Sequence, residues 1–94
     1  MSAEDELRAE IIMTLMCSMR VDFASLSQRY QLDVAEHFAA ERAVLAPYQE
    51  AGLIQADAHH IQITAKGRLF VRAISMVFDA YLTQATAATY SRLI

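Results

Sequence analysis

The sequence predicts a mainly α-helical fold with one small β-hairpin, in a single domain that spans residues 1–94. Apolar residues recur at intervals of three and four in four segments, which is typical of helices that bury one face. After Gly52 the spacing changes to an alternation of two, which is typical of strands. A chain of 94 residues is too short to build two hydrophobic cores, so we expect one domain.

Two helices are predicted in the first third of the chain. The first runs from about Ala3 to Met16, where Ser2 and Asp5 form a weak capping box. The second spans about Phe23–Tyr30 and has Asp22 as its N-cap. The apolar positions that we expect to face the core are Leu7, Ile11, Ile12, Leu15, Met16, Phe23, Leu26 and Tyr30.

A third helix begins at the capping box formed by Asp33 and Glu36. Because Pro47 lacks an amide N–H and disfavours helical geometry at Ala46, we expect a kink or a break there. Gly52 is expected to end the segment in the left-handed conformation. The predicted inner face consists of Val34, Phe38, Leu45 and the alanines.

Two short strands, Leu53–Ala56 and Ile61–Ile63, are predicted around a turn at residues 57–60. Thr64 is the expected N-cap of a long last helix that starts at Ala65 and continues to about Thr86. The resulting order is helix, helix, helix, hairpin, helix. This order is winged-helix-like: a three-helix core with a small β-hairpin, followed by a long C-terminal helix.

Few polar residues interrupt the last predicted helix between Leu69 and Leu82. At about 100° per residue, the polar positions occupy an arc of only about 60°. We therefore expect this helix to be covered nearly all round, and its polar stripe to be either a solvated edge or a surface that faces another domain or a substrate. Apolar residues make up 55% of the chain, which also favours a partner surface. The polar stripe consists of Arg68, Arg72, Ser75 and Asp79.

No residue pattern for catalysis or metal binding is complete. Cys17 is the single cysteine, and its apolar neighbours predict a buried structural thiol. His59 and His60 are adjacent in the turn, so we expect both to be solvated rather than to share a metal ion. His37 is expected at the surface or at the edge of the core. Phosphate-loop, dinucleotide, zinc-protease and hydrolase motifs are absent from the sequence, so we expect the chain to be non-catalytic by itself.

The charge pattern disfavours nucleic acid as a partner. The net charge is −3, and no basic run exists. The hairpin adds Asp57 and neither lysine nor arginine. A stand-alone winged-helix module that binds DNA or another protein is therefore the weaker alternative. The predicted third helix contains one arginine, Arg42, against four acids: Asp33, Glu36, Glu41 and Glu50.

The sequence also predicts a cytoplasmic location. A single cysteine excludes an internal disulfide and fits a reducing compartment. The first residues are acidic, whereas a secretory signal begins with basic ones. The apolar stretch from Leu69 to Leu82 is too short for a membrane span, so we expect no membrane contact.

Several blocks of the chain resemble one family. The longest block has the pattern G-R-L-x-x-R-x-I-x-M-x-F-D-x-Y-L, and the chain ends in S-R-x-I. In this order the blocks closely resemble the C-terminal end of the oxygen-independent coproporphyrinogen III oxidases, over essentially the whole chain. The matching blocks are Ile11–Cys17, Leu45–Pro47, Gly52–Ile54, His60–Leu82 and Tyr90–Ile94.

The resemblance implies a role in a larger enzyme. These oxidases are radical S-adenosylmethionine enzymes of haem biosynthesis that oxidatively decarboxylate coproporphyrinogen III to protoporphyrinogen IX. Their catalytic barrel binds S-adenosylmethionine and holds a [4Fe-4S] cluster through a C-x-x-x-C-x-x-C motif, which has no counterpart in a chain with one cysteine.

The resemblance therefore implies an accessory domain that packs on the barrel and helps to enclose the porphyrinogen, with no catalytic, cofactor-binding or metal-ligating residue of its own. Cys17 matches a position in the family's C-terminal domain and not a cluster ligand. Because the match starts in the middle of the family pattern and runs to its end, we expect an excised C-terminal domain rather than a natural stand-alone relative.

Overall fold

Helices dominate the computed structural model, which describes residues 2–79, and a small antiparallel sheet packs against them. This confirms the predicted fold class. The elements in chain order are α1 (Ala3–Ser18), β1 (Arg20–Asp22), α2 (Phe23–Tyr30), α3 (Val34–His37), α4 (Ala39–Glu50), β2 (Ile54–Ala56), β3 (His60–Ile63), a 3₁₀ helix (Lys66–Phe70) and α5 (Val71–Met76).

Helices α1 and α2 form where their caps and apolar spacing predict them. The Ser2 hydroxyl accepts a hydrogen bond from the Asp5 amide, and the Asp22 carboxylate accepts from the amides of residues 24 and 25. Helix α1 extends two residues beyond the predicted Met16, to Ser18, and ends at Met19 with φ 60°. Of the predicted core positions, Met16 is exposed, Ile12 and Tyr30 are half-buried, and the others are buried.

The sheet contains a strand that the sequence did not predict. Strand β1 pairs with β3, and β3 pairs with β2, so the order is β1-β3-β2 and both pairings are antiparallel. In β3, Ile61 and Ile63 are buried while Gln62 is exposed, as the alternation predicts. With only three residues, β1 is too short for its alternation to stand out from the surrounding sequence.

The break in the third predicted helix falls at Phe38; at Pro47, where a kink or a break was predicted, the helix is not broken. Phe38 (φ −103°, ψ 29°) lies between α3 and α4, and its side chain is fully buried. Burial of this ring turns the chain between the two helices. Helix α4 continues through Pro47 to Glu50, because the missing amide leaves only the carbonyl of the exposed Ala43 without its helical donor. On the predicted inner face, Val34, Phe38 and Leu45 are buried, but Ala35 is the only buried alanine.

Gly52 has φ 79°, which confirms its predicted left-handed conformation at the end of α4. Its amide donates to the carbonyl of Gln49 (3.0 Å), and the Leu53 amide donates to the carbonyl of Tyr48 (2.9 Å). This pair of hydrogen bonds is a Schellman motif, which turns the chain from α4 into the hairpin.

The prediction of one long continuous last helix is wrong over the described residues. A 3₁₀ helix, Lys66–Phe70, precedes the short α5, and the predicted continuation to Thr86 lies outside residues 2–79. The N-cap of this 3₁₀ helix is Ala65 and not the predicted Thr64, but the Thr64 Oγ1 accepts a hydrogen bond from the Gly67 amide (3.1 Å) in its first turn. The same hydroxyl donates to the carbonyl of Gly52 (2.7 Å), so the turn is tied to the end of α4. These contacts fix the start of the 3₁₀ helix next to the end of α4.

We predict that Gly67→Ala destabilises the domain by about 3 kcal/mol. A Cβ atom at Gly67 would lie 1.9 Å from the carbonyl oxygen of Leu53, and this backbone atom cannot move without disturbing the hairpin. Gly52→Ala is the matched control: nothing lies within 4 Å of its Cβ position, so it incurs only the left-handed backbone penalty of about 1 kcal/mol. Urea unfolding of both variants tests this, and equal losses would contradict it.

Candidate functional site

The four residues of the predicted polar stripe do not share one surface. Arg68 and Arg72 are exposed, Asp79 is half-buried, and Ser75 is fully buried in the core. The stripe was derived for one continuous α-helix, and the 3₁₀ turn changes the angle between Arg68 and the later positions. Within the described residues, the buried Ser75 hydroxyl has no hydrogen-bond partner.

An exposed apolar pair lies between the two arginines. Leu69 is 92% exposed and Phe70 is 45% exposed, so the described part of the chain does not cover this segment all round. Lys66 anchors the turn, because its Nζ donates to the carbonyl of Ala51 (3.0 Å). We call Arg68, Leu69, Phe70 and Arg72 the 68–72 patch; it combines apolar side chains with two guanidinium groups on an anchored turn.

A buried ion pair that the sequence analysis missed joins α1 to α4, and its arginine also contacts the segment after α5. The Arg8 side chain is 15% exposed and that of Glu41 is 11% exposed, and Arg8 Nη2 lies 3.0 Å from Glu41 Oε2. Arg8 Nη1 donates to the carbonyl of Phe78 (3.0 Å), and the guanidinium lies 4.8 Å from the centre of the Phe38 ring. Residues 8 and 41 are too far apart in the chain for any local spacing signal to pair them.

Cys17 is exposed, so the predicted buried thiol is wrong. The buried positions of α1 are Leu7, Ile11 and Leu15, and Cys17 lies about 200° around the helix from Leu15. Apolar neighbours in sequence indicated burial, but two residues along a helix lead to the opposite face.

The histidines lie near the surface. His37 is exposed as predicted, and its Nε2 lies 2.5 Å from Glu4 Oε1. His59 is exposed, as the prediction of solvated turn residues requires. His60 differs from that prediction: it is half-buried because it begins β3, and its Nδ1 lies 3.1 Å from Asp57 Oδ1.

Asp57 organises the hairpin turn. Its carboxylate accepts hydrogen bonds from the amides of His59 (2.7 Å) and His60 (2.9 Å). These two backbone hydrogen bonds, that from His59 first, lower the pKa of the Asp57 carboxyl below its ordinary value. The turn is therefore held by local capping and presents no assembled site.

The positions that a DNA-binding winged helix would use lack exposed cations. Along α4 the one arginine, Arg42, is half-buried and donates to the carbonyl of Ala35 (3.2 Å). The β2–β3 hairpin contains neither lysine nor arginine. The exposed side of α4 includes small apolar residues and Val44, which is 56% exposed. These residues give no support to DNA binding.

Residues 2–79 contain no cluster of histidine, cysteine and acidic side chains able to hold a metal ion. No helix in the same range is long and apolar enough to cross a membrane. The fold and the site thus define a winged-helix-like domain whose described surface carries an apolar, arginine-flanked patch.

The comparisons with known proteins place this domain in a family. Residues 1–70 match the family model described as the HemN C-terminal domain, and the chain belongs to this family. It is 40% identical over its whole length to the oxygen-independent coproporphyrinogen III oxidase of Escherichia coli K12, of which it covers 21%. It is 39% identical over 99% of its length to the enzyme of that name from Thermostichus vulcanus, of which it covers 29%.

A solved structure has the same fold. The coproporphyrinogen III oxidase HemN from Escherichia coli, described as a radical SAM enzyme, superposes with a TM-score of 0.83 at 40% identity. The match covers 86% of this chain and 19% of that one. The chain thus spans about a fifth of the Escherichia coli relatives that it matches.

We predict that Glu41→Ala lowers the free energy of unfolding by about 2 kcal/mol, because it removes the close, buried partner of the Arg8 guanidinium and leaves only the more exposed Glu4 carboxylate at 3.8 Å. Glu50→Ala, an exposed position on the same helix, is the matched control and should change stability by less than about 0.5 kcal/mol. Urea unfolding measures both. A Glu41→Ala loss no larger than that of the control would show that the pair does not stabilise the fold.

We predict that Asp57→Asn destabilises the domain at neutral pH. The pKa of Asp57 is lower in the folded protein than in the unfolded chain. Its stabilising effect is therefore complete above the unfolded pKa of about 3.9 and is lost as the pH falls through the lower folded value. The difference from the unchanged protein should shrink at about pH 3.

Urea unfolding of Asp57→Asn at neutral and acid pH measures this difference, with Glu36→Gln, an exposed acid, as the control. A deficit that stays constant with pH would refute the role of the charge.

Proposed function

We propose that this chain is the C-terminal accessory domain of an oxygen-independent coproporphyrinogen III oxidase. In this proposal the domain packs on the catalytic barrel of the same enzyme and helps to enclose the porphyrinogen. The whole enzyme, a cytoplasmic radical S-adenosylmethionine oxidoreductase of haem biosynthesis, converts coproporphyrinogen III to protoporphyrinogen IX.

The observation that carries the proposal is the match of residues 1–70 to the family model and of the whole chain to a relative, of which the chain covers only 21%. The Escherichia coli relative has about four-fifths of its length outside the match. A domain of this kind needs a surface to contact the rest of the enzyme. The 68–72 patch supplies such a surface, since Leu69 and Phe70 are exposed there.

The cofactors of such an enzyme do not fit residues of this chain. A [4Fe-4S] cluster needs several thiolate ligands, and this chain has only Cys17. Residues 2–79 also hold no other group of side chains suited to a metal ion. The cluster and S-adenosylmethionine therefore belong to the catalytic barrel, and no step of the reaction is assigned to this domain.

The two exposed arginines have a more specific part in the proposal. Arg68 and Arg72 flank the apolar pair, and a guanidinium group binds carboxylates through paired hydrogen bonds. Their targets are acidic residues of the barrel or the carboxylates of the porphyrinogen. Ser75 is buried and therefore cannot contact the barrel or the substrate. Asp79 is half-buried and already has an interaction partner, so we do not assign it this role.

A chimera tests the proposed function. Residues 1–94 replace the matching C-terminal fifth of the Escherichia coli relative, and coproporphyrinogen III consumption is measured anaerobically. We expect the chimera to be active and the truncated enzyme without any C-terminal domain to lose at least about tenfold in kcat/KM. A truncated enzyme as active as the chimera would refute the proposal.

Variants of the chimera test the 68–72 patch separately. Leu69→Asp places a charge in the apolar contact and should lower activity about tenfold, whereas Val44→Asp, at an exposed apolar position on α4, should have little effect. Arg72→Ala should raise KM if it contacts substrate and weaken domain docking if it contacts the barrel. Unchanged activity and unchanged docking in Leu69→Asp and Arg72→Ala would remove the patch from the proposal.

A further inference from the structure

Helix α1 is apolar on two opposite sides. Leu7, Ile11 and Leu15 are buried on its inner side. The opposite side lies about 140–240° around the helix from Ile11; beyond the first turn, where Glu6 lies on it, this side carries a set of exposed residues with no charged side chain. We call this set the outer α1 face: Ala9, Met13, Met16 and Cys17.

The outer α1 face differs from an ordinary solvent-facing side. Met13 is 67% exposed and Met16 is 40% exposed. From residue 9 to residue 19 the only charged side chain is Glu10, which is engaged by Arg29 and by the Tyr30 hydroxyl (3.1 Å) of α2. A helix that is apolar all round is usually buried on all sides. Residues 2–79 bury this helix on one side only.

We propose that the outer α1 face is a second surface, besides the 68–72 patch, on which the catalytic domain of the same polypeptide lies. This inference rests on the proposed function and names the helix that makes the contact. The expected partner surface is apolar opposite Met13 and Met16. Methionine side chains are flexible and polarisable, so they adapt to such a surface.

Continuity of the chain supports this occupant over a separate protein. In an enzyme of which this domain is the C-terminal part, the preceding chain joins α1 at its first turn. A tethered partner also has a high effective concentration, so a modest apolar face is sufficient for docking.

Charge at the start of α1 adds a second requirement. Asp5 and Glu6 are exposed on the outer side of the helix, and within residues 2–79 neither carboxylate has a salt bridge. The docked surface is therefore expected to present lysine or arginine opposite this turn. We therefore expect the partner surface to have an apolar centre and a basic rim.

Cys17 allows a direct test because it lies within the face and is the only cysteine of these 94 residues. The complete enzyme that contains residues 1–94 is labelled with a maleimide, and the rate at Cys17 is read by peptide mass spectrometry. Val44→Cys, an exposed position on α4, is the matched control in the same enzyme. Each rate is divided by that of the same thiol in urea.

We expect Cys17 to react about tenfold more slowly than the thiol of Val44→Cys. The double change Asp5→Lys and Glu6→Lys should bring the Cys17 rate back toward that of the control. Equal labelling rates of the two thiols, whether fast or slow, would overturn the inference. Protection of Cys17 that is lost on dilution would also overturn it, because it would assign the face to a second copy of the chain. Protection that disappears when residues 80–94 are deleted would assign it to those residues and overturn it as well.

These outcomes are separate from the test of the proposed function. An active chimera with an unprotected Cys17 would retain the function and reject this docking face. An inactive chimera, or a natural gene that encodes no catalytic part before Met1, would reject both.

Discussion

The buried guanidinium of Arg8 is the constraint on which the helical packing depends. A charge this hidden has to be neutralised and hydrogen-bonded, or the cost of removing it from water is not offset. Glu41 supplies the counter-charge from α4, and the carbonyl of Phe78 supplies an acceptor at the end of the described chain. Arg8 therefore ties α1 to α4 and to the segment after α5, while its buried Nε has no hydrogen-bond partner within the described residues.

Phe38 extends this constraint into the core. Its ring lies under the Arg8 guanidinium and meets the Phe78 ring edge to face, with 5.5 Å between the ring centres. To reach this position the chain must leave helical geometry at Phe38, which separates α3 from α4. The same arrangement turns Glu41 inward and leaves small apolar residues on the outside of α4. The domain thus keeps a winged-helix-like architecture while its recognition-helix position lacks the cations that DNA requires.

The features of the fold that the sequence predicted correctly are those set by contacts between residues close together in the chain. Caps at Ser2 and Asp22, the left-handed Gly52 and the alternation of Ile61 and Ile63 each act within a few residues, and all were confirmed. Features set by distant contacts were missed or wrong: the pairing of β1 with β3, the break at Phe38 and the 3₁₀ turn. In the candidate site, the sequence could not predict which residues of the polar stripe are exposed, and only the three-dimensional structure shows that Arg68 and Arg72 are. The ion pair of Arg8 left no signal in the sequence spacing.

The apolar surplus of the sequence can now be located. It is not absorbed by the core: Leu69 is 92% exposed and Met13 is 67% exposed, on different elements of the domain. Each buried methylene contributes about 0.8 kcal/mol, so leaving such side chains in water forgoes stability that a closed domain would use. A small domain tolerates this when the same side chains are buried in a larger protein. Family membership and these exposed apolar side chains therefore support the same proposal, in which the domain buries them against the rest of a larger enzyme.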